Sequence, residues 1–194
     1  MMSSVSKFTI ANRLRGFATA QDGVSAVEFA MLLPLLITLY LGTVEVTQAV
    51  SADRKMTLVS GTVGDLVARA SCVTTGDITT IFNAGQAVVY PFSTTQMRIV
   101  VSSVIIGSDQ SARITSTNGG WSQAYNGGTV RNGDVTSFIP ATLRSTPGSV
   151  IWAEAYYTYI PTIGKVIAPS GISMSETIFL KPRLTDPILL KSSC

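Results

Sequence analysis

The chain has no histidine, two cysteines in 194 residues, and charged side chains at only 13%, about half the share usual in soluble globular proteins. Without histidine, the commonest metal ligand and the ordinary general base at neutral pH are both missing. Cys72 and Cys194 lie far apart and outside any CxxC or zinc-type spacing, so metal chemistry is poorly supplied. No GxxxxGK[ST], GxSxG or glycine-rich dinucleotide fingerprint occurs, and the acids Asp77, Asp109, Asp134 and Glu154 stand singly. The composition therefore points away from an enzyme and requires no cofactor or metal. The net charge is +3, and the basic residues (Lys7, Arg13, Arg15, Arg54, Lys55, Arg69, then singles) form no patch, so no nucleic-acid partner is expected.

What is abundant is apolar surface, and most of the excess sits near the N-terminus. Residues 1–23 are polar and mildly basic. Phe29 to Val44 then forms a run of sixteen residues without a charge, somewhat short of the ~20 needed to cross a bilayer core. Reaching full length brings in Glu28, Glu45 or both. On a helix these two lie about 25 Å apart along the axis, so each fits a charge at a membrane boundary that reaches toward water. A cleaved secretory signal fits the same stretch badly: the apolar run starts late and is long, and Gln48-Ala49-Val50-Ser51-Ala52 lacks a small-x-small cleavage site. Lys and Arg are nearly balanced on the two sides of the run, so the positive-inside rule does not orient it. A short N-terminal tail kept inside, with the larger C-terminal part exported, is the orientation expected here, and the two cysteines tolerate an oxidising destination.

Within this helix Ala26, Ala30, Pro34, Thr38 and Gly42 recur every fourth residue. They make a slowly winding stripe of compact side chains along which another helix can approach, with Glu45 near its upper end. Pro34 removes a backbone hydrogen bond and is expected to kink or loosen the helix locally.

Gly23, followed by Val24-Ser25-Ala26-Val27 and then Glu28-Phe29, resembles the prepilin-peptidase motif of tight-adherence (Flp-type) pilins and pseudopilins. There a glycine precedes the scissile bond and glutamate is the fifth residue after it. The wider pattern of Gly23, Val27-Glu28-Phe29-Ala30, Pro34, Gly42 and Glu45 resembles the TadE-like family of minor pseudopilins and pilus assembly proteins. The resemblance covers about 45 residues. It implies cleavage between Gly23 and Val24 by a prepilin peptidase of the bacterial inner membrane, with the C-terminal domain periplasmic. It also implies that Glu28, one helical turn from the new amino terminus, pairs with an amino terminus of a neighbouring subunit. A carboxylate in hydrocarbon is costly alone, and a nearby ammonium favours its charged form and sets axial register. The partners so implied are the prepilin peptidase, the major pilin and other minor pseudopilins, and the inner-membrane assembly platform. An uncleaved single-pass envelope protein that binds another exported protein or a surface ligand is the second reading.

Beyond Glu45 the helical pattern continues. Ala49, Met56, Val63 and Ala70 fall seven apart, with Ala52, Val59 and Leu66 interleaved, giving a narrow apolar seam that suits packing on the chain's own core better than a dimeric coiled coil. One helix is expected over residues 24–70, its membrane part about 24–46 and its exported stem about 47–70. Residues 71–194 change texture: Gly, Ser and Thr become frequent, and β-type runs appear at Ala87–Tyr90, Met97–Ile106, Val150–Ile160 and Ser173–Leu180. Asn118-Gly119-Gly120 and Asn126-Gly127-Gly128 read as turns. Trp121 and Tyr125 beside them are either an exposed contact platform or local hairpin packing. The fold class expected is α+β, a pilin-like lollipop with a small antiparallel sheet packed on the upper half of a long helix. A Cys72–Cys194 disulfide would tie the tail to the top of the stem.

Overall fold

The computed structural model describes residues 22–166 and 169–194. The leader expected over residues 1–23 thus lies outside the described residues up to position 21. The fold is α+β, a long N-terminal apolar helix followed by an antiparallel sheet domain. Helix α1 spans Asp22–Ala68 and runs through Pro34. The chain divides into two units, one ending at Val44 and the other starting at Glu45.

In the N-terminal unit apolar side chains point outward on every side, including Met31, Leu35 and Leu39, at 77%, 66% and 69% exposure. A helix apolar all round is written for lipid or for a large protein core, and among the described residues 23–40 every one is exposed. Its two threonine hydroxyls beyond Pro34 are satisfied within the helix: Thr38 donates to the Pro34 carbonyl at 2.5 Å and Thr43 to that of Leu39 at 2.9 Å, as a hydrocarbon surrounding favours. Gly23–Ala68 is long and apolar enough to cross a membrane, which suggests a single-pass membrane protein.

The C-terminal unit packs the upper part of α1 and a second helix, α2 (Thr75–Val89), on one face of a six-stranded sheet. The strands are β2 (Met97–Ile106), β3 (Ala112–Ile114), β4 (Trp121–Tyr125), β5 (Gly133–Asp134), β6 (Gly148–Tyr159) and β7 (Ile172–Leu180), in the order β5-β3-β2-β6-β7, with β4 also paired to β2. All pairings in this sheet are antiparallel. Two short strands, β1 (Cys72–Val73) and β8 (Leu189–Leu190), pair in parallel apart from it. Alternation along β2 and β6 sends Met97, Ile99, Val101, Ile151, Ala153 and Ala155 toward the helices, where they meet Ala52, Met56, Val59, Val63 and Val67 of α1. The opposite face carries a smaller core of Val104, Ile106, Val150 and Trp152 under Val135 and Ile139.

The stem seam therefore packs on the chain's own core, with one change: Val67 is buried whereas Leu66 is 40% exposed. A straight helix turns every 3.6 residues, so a strict seven-residue seam drifts and the next position takes over. The β-type reading of Ala87–Tyr90 is corrected. Ala87, Val88 and Val89 end α2, whose buried face is Ile78, Phe82, Gly85 and Val89, at helical spacing. A capping box starts that helix: Asp77 N donates to Thr74 Oγ1 at 3.1 Å and Thr74 N to Asp77 Oδ2 at 2.9 Å. Gly85 is required by close approach, since a Cβ there would lie 2.9 Å from Val63 Cγ2 and 3.2 Å from Ile99 Cδ1.

Candidate functional site

Three places carry the side chains of interest: the head of α1, the carboxylate of Glu45, and the outer face of the sheet. At the head of α1, Gly23, Val24, Ala26, Glu28 and Phe29 are all helical and exposed. Val24 and Glu28 are four residues apart and so share one face, one turn apart. Ala30, Pro34, Thr38 and Gly42 continue outward-facing, and a Cβ added at Gly42 meets nothing within 4 Å. Among the described residues, those of the stripe from Ala26 to Gly42 are all exposed.

Glu45 is placed differently from the rest of that stripe. Its carboxylate accepts from the backbone N–H of Ile163 at 2.6 Å and from the Tyr159 hydroxyl at 3.0 Å. It is thus held by the C-terminal unit's own β6–β7 connection. Burial, then the hydrogen bond to Glu45, pushes the Tyr159 hydroxyl up to about 12, so it stays a donor at neutral pH. The Phe92 ring lies edge-on to Tyr157 and Tyr159 at 6.5 and 6.4 Å. The sequence marks Glu45 as a charge at the end of an apolar run but carries no signal for a partner 114 positions away.

On the outer face Glu154, almost fully buried, receives Arg131 through two bonds, Nε–Oε2 at 3.0 Å and Nη2–Oε1 at 2.7 Å. The Tyr156 hydroxyl donates to Glu154 Oε1 at 2.5 Å and accepts from Arg131 Nη2 at 3.1 Å. The guanidinium stands 5.0 Å from the Trp152 ring centroid and 5.4 Å from that of Phe138, a geometry that favours a cation over aromatic faces. The hydrogen bond to Glu154 raises the Arg131 pKa further, and burial raises that of Tyr156. Beside them exposed Arg98 and Thr129 line an open groove of about 240 Å³ with Gly128, Arg131 and Tyr156. This arrangement neutralises a buried charge and rigidifies the sheet. Its Arg131–Glu154 pair is closed on itself, and among the described residues no three metal-ligating side chains come together.

The cysteines meet at the top of the stem, with Cys72 bonded to Cys194 and their Cα atoms 6.0 Å apart. The tail around that bond is strapped by more than sulfur. Arg183 N donates to the Ala68 carbonyl at 2.9 Å and its guanidinium meets Asp65 at 2.6 Å. Thr185 donates to the Ser71 carbonyl at 2.6 Å, and Lys191 N to that of Val73 at 2.9 Å. Trp121 is buried beneath the strap, its indole N–H donating to the Ile188 carbonyl at 2.8 Å, and Tyr125 donates to Gln86 at 2.9 Å. Both are packing residues of strand β4, not an exposed platform.

The head of α1 is where the chain meets known proteins. Residues 23–61 match the family model described as TadE-like protein. The TadE-like segment takes in Gly23, Glu28, the whole small-residue stripe, Glu45 and the first half of the stem. It stops before the strap, the second helix and the sheet. The TadE-like family is a pilus-associated structural family, and the match suggests a Tad pilus-related protein. Neither the comparison with curated proteins nor that with solved structures returned a match.

Proposed function

We propose that the chain is a non-enzymatic minor pseudopilin or assembly component of a tight-adherence (Flp-type) pilus. The observation that carries this reading is the TadE-like match over residues 23–61, with Gly23 and Glu28 at the head of an outward-facing apolar helix. In this reading the helix lies in the inner membrane with its N-terminus cytoplasmic, and the sheet domain is periplasmic. A prepilin peptidase cuts after Gly23 and leaves Val24 as the amino terminus. Glu28 then pairs with an amino terminus of a neighbouring subunit, because a nearby ammonium favours the charged form of a carboxylate among apolar side chains. The stripe from Ala26 to Gly42 is the packing face toward the major pilin, other minor pseudopilins or the assembly platform.

Mass spectrometry of the mature N-terminus, from cells with and without the prepilin peptidase, tests the processing step. The expected result is a chain beginning at Val24 only where the peptidase is present; one beginning at Met1 in both removes that step. Glu28→Gln is expected to insert normally yet to impair assembly, and unchanged piliation and pull-down yields overturn the pairing. Recovery in sheared filaments or in the membrane fraction alone separates pilus subunit from assembly factor. A second reading, an uncleaved envelope protein whose domain binds another exported protein or a surface ligand, draws on the open groove beside Arg98. It predicts the uncleaved chain in both strains.

A further inference from the structure

We infer that the membrane-side end of the sheet domain is itself a lipid-contact surface, formed by Ile160, Ile163, Lys165 and Ile172 at the β6–β7 connection together with Tyr90. The inference rests on reading the Phe29–Val44 run as membrane-inserted. Glu45 is the first residue after that run, and it binds the Ile163 backbone and the Tyr159 side chain directly. With 1.5 Å of rise per helical residue, those contacts hold the connection within about one turn of the last apolar residue of the run. Any bilayer boundary near Val44 therefore lies next to this connection.

The side chains at that place match an interface. Ile160, Ile163 and Ile172 are 41%, 50% and 45% exposed, three branched apolar residues turned outward within a short stretch of chain. Lys165 between them is exposed and supplies a cation for anionic headgroups. Tyr90 is 80% exposed. It stands two residues before Phe92, whose ring touches that of Tyr159, so it belongs to the same end of the domain. Aliphatic side chains together with a tyrosine and a lysine are the usual composition of a membrane–water boundary. The carboxylate of Glu45 in turn already accepts from the Ile163 N–H of the connection and from the Tyr159 hydroxyl at the end of β6. These residues place the connection in contact with lipid.

The test uses the full chain in phosphatidylcholine–phosphatidylglycerol vesicles, spin-labelled without reductant at one introduced cysteine at a time. The positions are Ile163→Cys, Ile172→Cys, Leu58→Cys as the aqueous reference on the exposed stem face, and Met31→Cys as the hydrocarbon reference. The readout is the ratio of collision with oxygen to collision with a water-soluble nickel chelate. Ratios at Ile163 and Ile172 above Leu58 and below Met31 are expected. A ratio at both equal to that at Leu58, with Met31 lipid-like, overturns the lipid contact alone. Low collision with both reagents at these positions means a protein cover and also overturns it. A water-like Met31 overturns the membrane reading and the lipid contact with it.

Discussion

Arg131 and Arg183 each meet a carboxylate, at 2.7 and 2.6 Å, yet their surroundings give the two pairs different weight. Glu154 is nearly sealed, its side chain 3% exposed, under an arginine 26% exposed; Arg183 and Asp65 are 54% and 30% exposed. Water solvates a stranded surface charge but not a stranded buried one. Arg131→Ala is therefore expected to destabilise the protein by about 3 kcal/mol or more. Arg183→Ala is expected to cost less than about 1 kcal/mol. Denaturant titration of the full chain in detergent measures both, and equal shifts would contradict this ranking. Glu154 was visible in the sequence as an acid standing singly inside the β-type run Val150–Ile160. That its partner is Arg131, contributed by a loop 23 positions away, depends on tertiary packing that residue spacing does not encode.

Among the elements, α2 teaches most, because its signals were present and outvoted. Thr74-Thr75-Gly76-Asp77 is a capping-box sequence, and Ile78, Phe82, Gly85 and Val89 repeat at helical spacing. The β-branched Val88-Val89 next to Tyr90 argues for a strand locally, and contact with α1 and the sheet overrides that preference. The long helix and the strands at 97–106, 148–159 and 172–180 were legible because each is long and strongly patterned. The short strands β1, β3, β5 and β8 were not, since two or three residues carry no period.

The capping box also sets a pH response. Asp77 has a depressed pKa because it accepts from the Thr74 backbone N–H and then from the Thr74 hydroxyl. Its contribution to stability is complete above the ordinary aspartate value near 3.8 and is lost as pH falls through the lower folded-state value. Asp109, held by Ser111, and Asp134, held by Thr136, act in the same direction. Thermal unfolding of the full chain in detergent is expected to fall between about pH 4 and pH 2. The fall should be smaller in Asp77→Ala, and an identical fall in both would remove Asp77 from the account.

Across the whole molecule, the sequence revealed a long apolar helix followed by a β-rich domain. It did not reveal that Glu45 is gripped by the far end of β6, or that the tail forms a strand, β8, parallel to β1, because long-range contacts alone decide both. The disulfide closes a loop of 122 positions, and constraining an unfolded chain over such a span is worth typically 2–4 kcal/mol. Cys72→Ser in the full chain is expected to lose about that much in a denaturant titration. Alkylation of the native chain without reductant should find no free thiol. Two modified cysteines would show that the bond does not form, and no loss of stability that it does not stabilise the fold.

The same closure has a mechanical side. A chain held at its helix and pulled at its C-terminus passes tension from α1 through Cys72 directly into Cys194, and the Arg183–Ala68 and Lys191–Val73 backbone bonds run alongside. The sheet between them is a side loop off the path of force. Drag on cargo fused after Cys194 would be borne by the stem, while β2 to β7 stay folded.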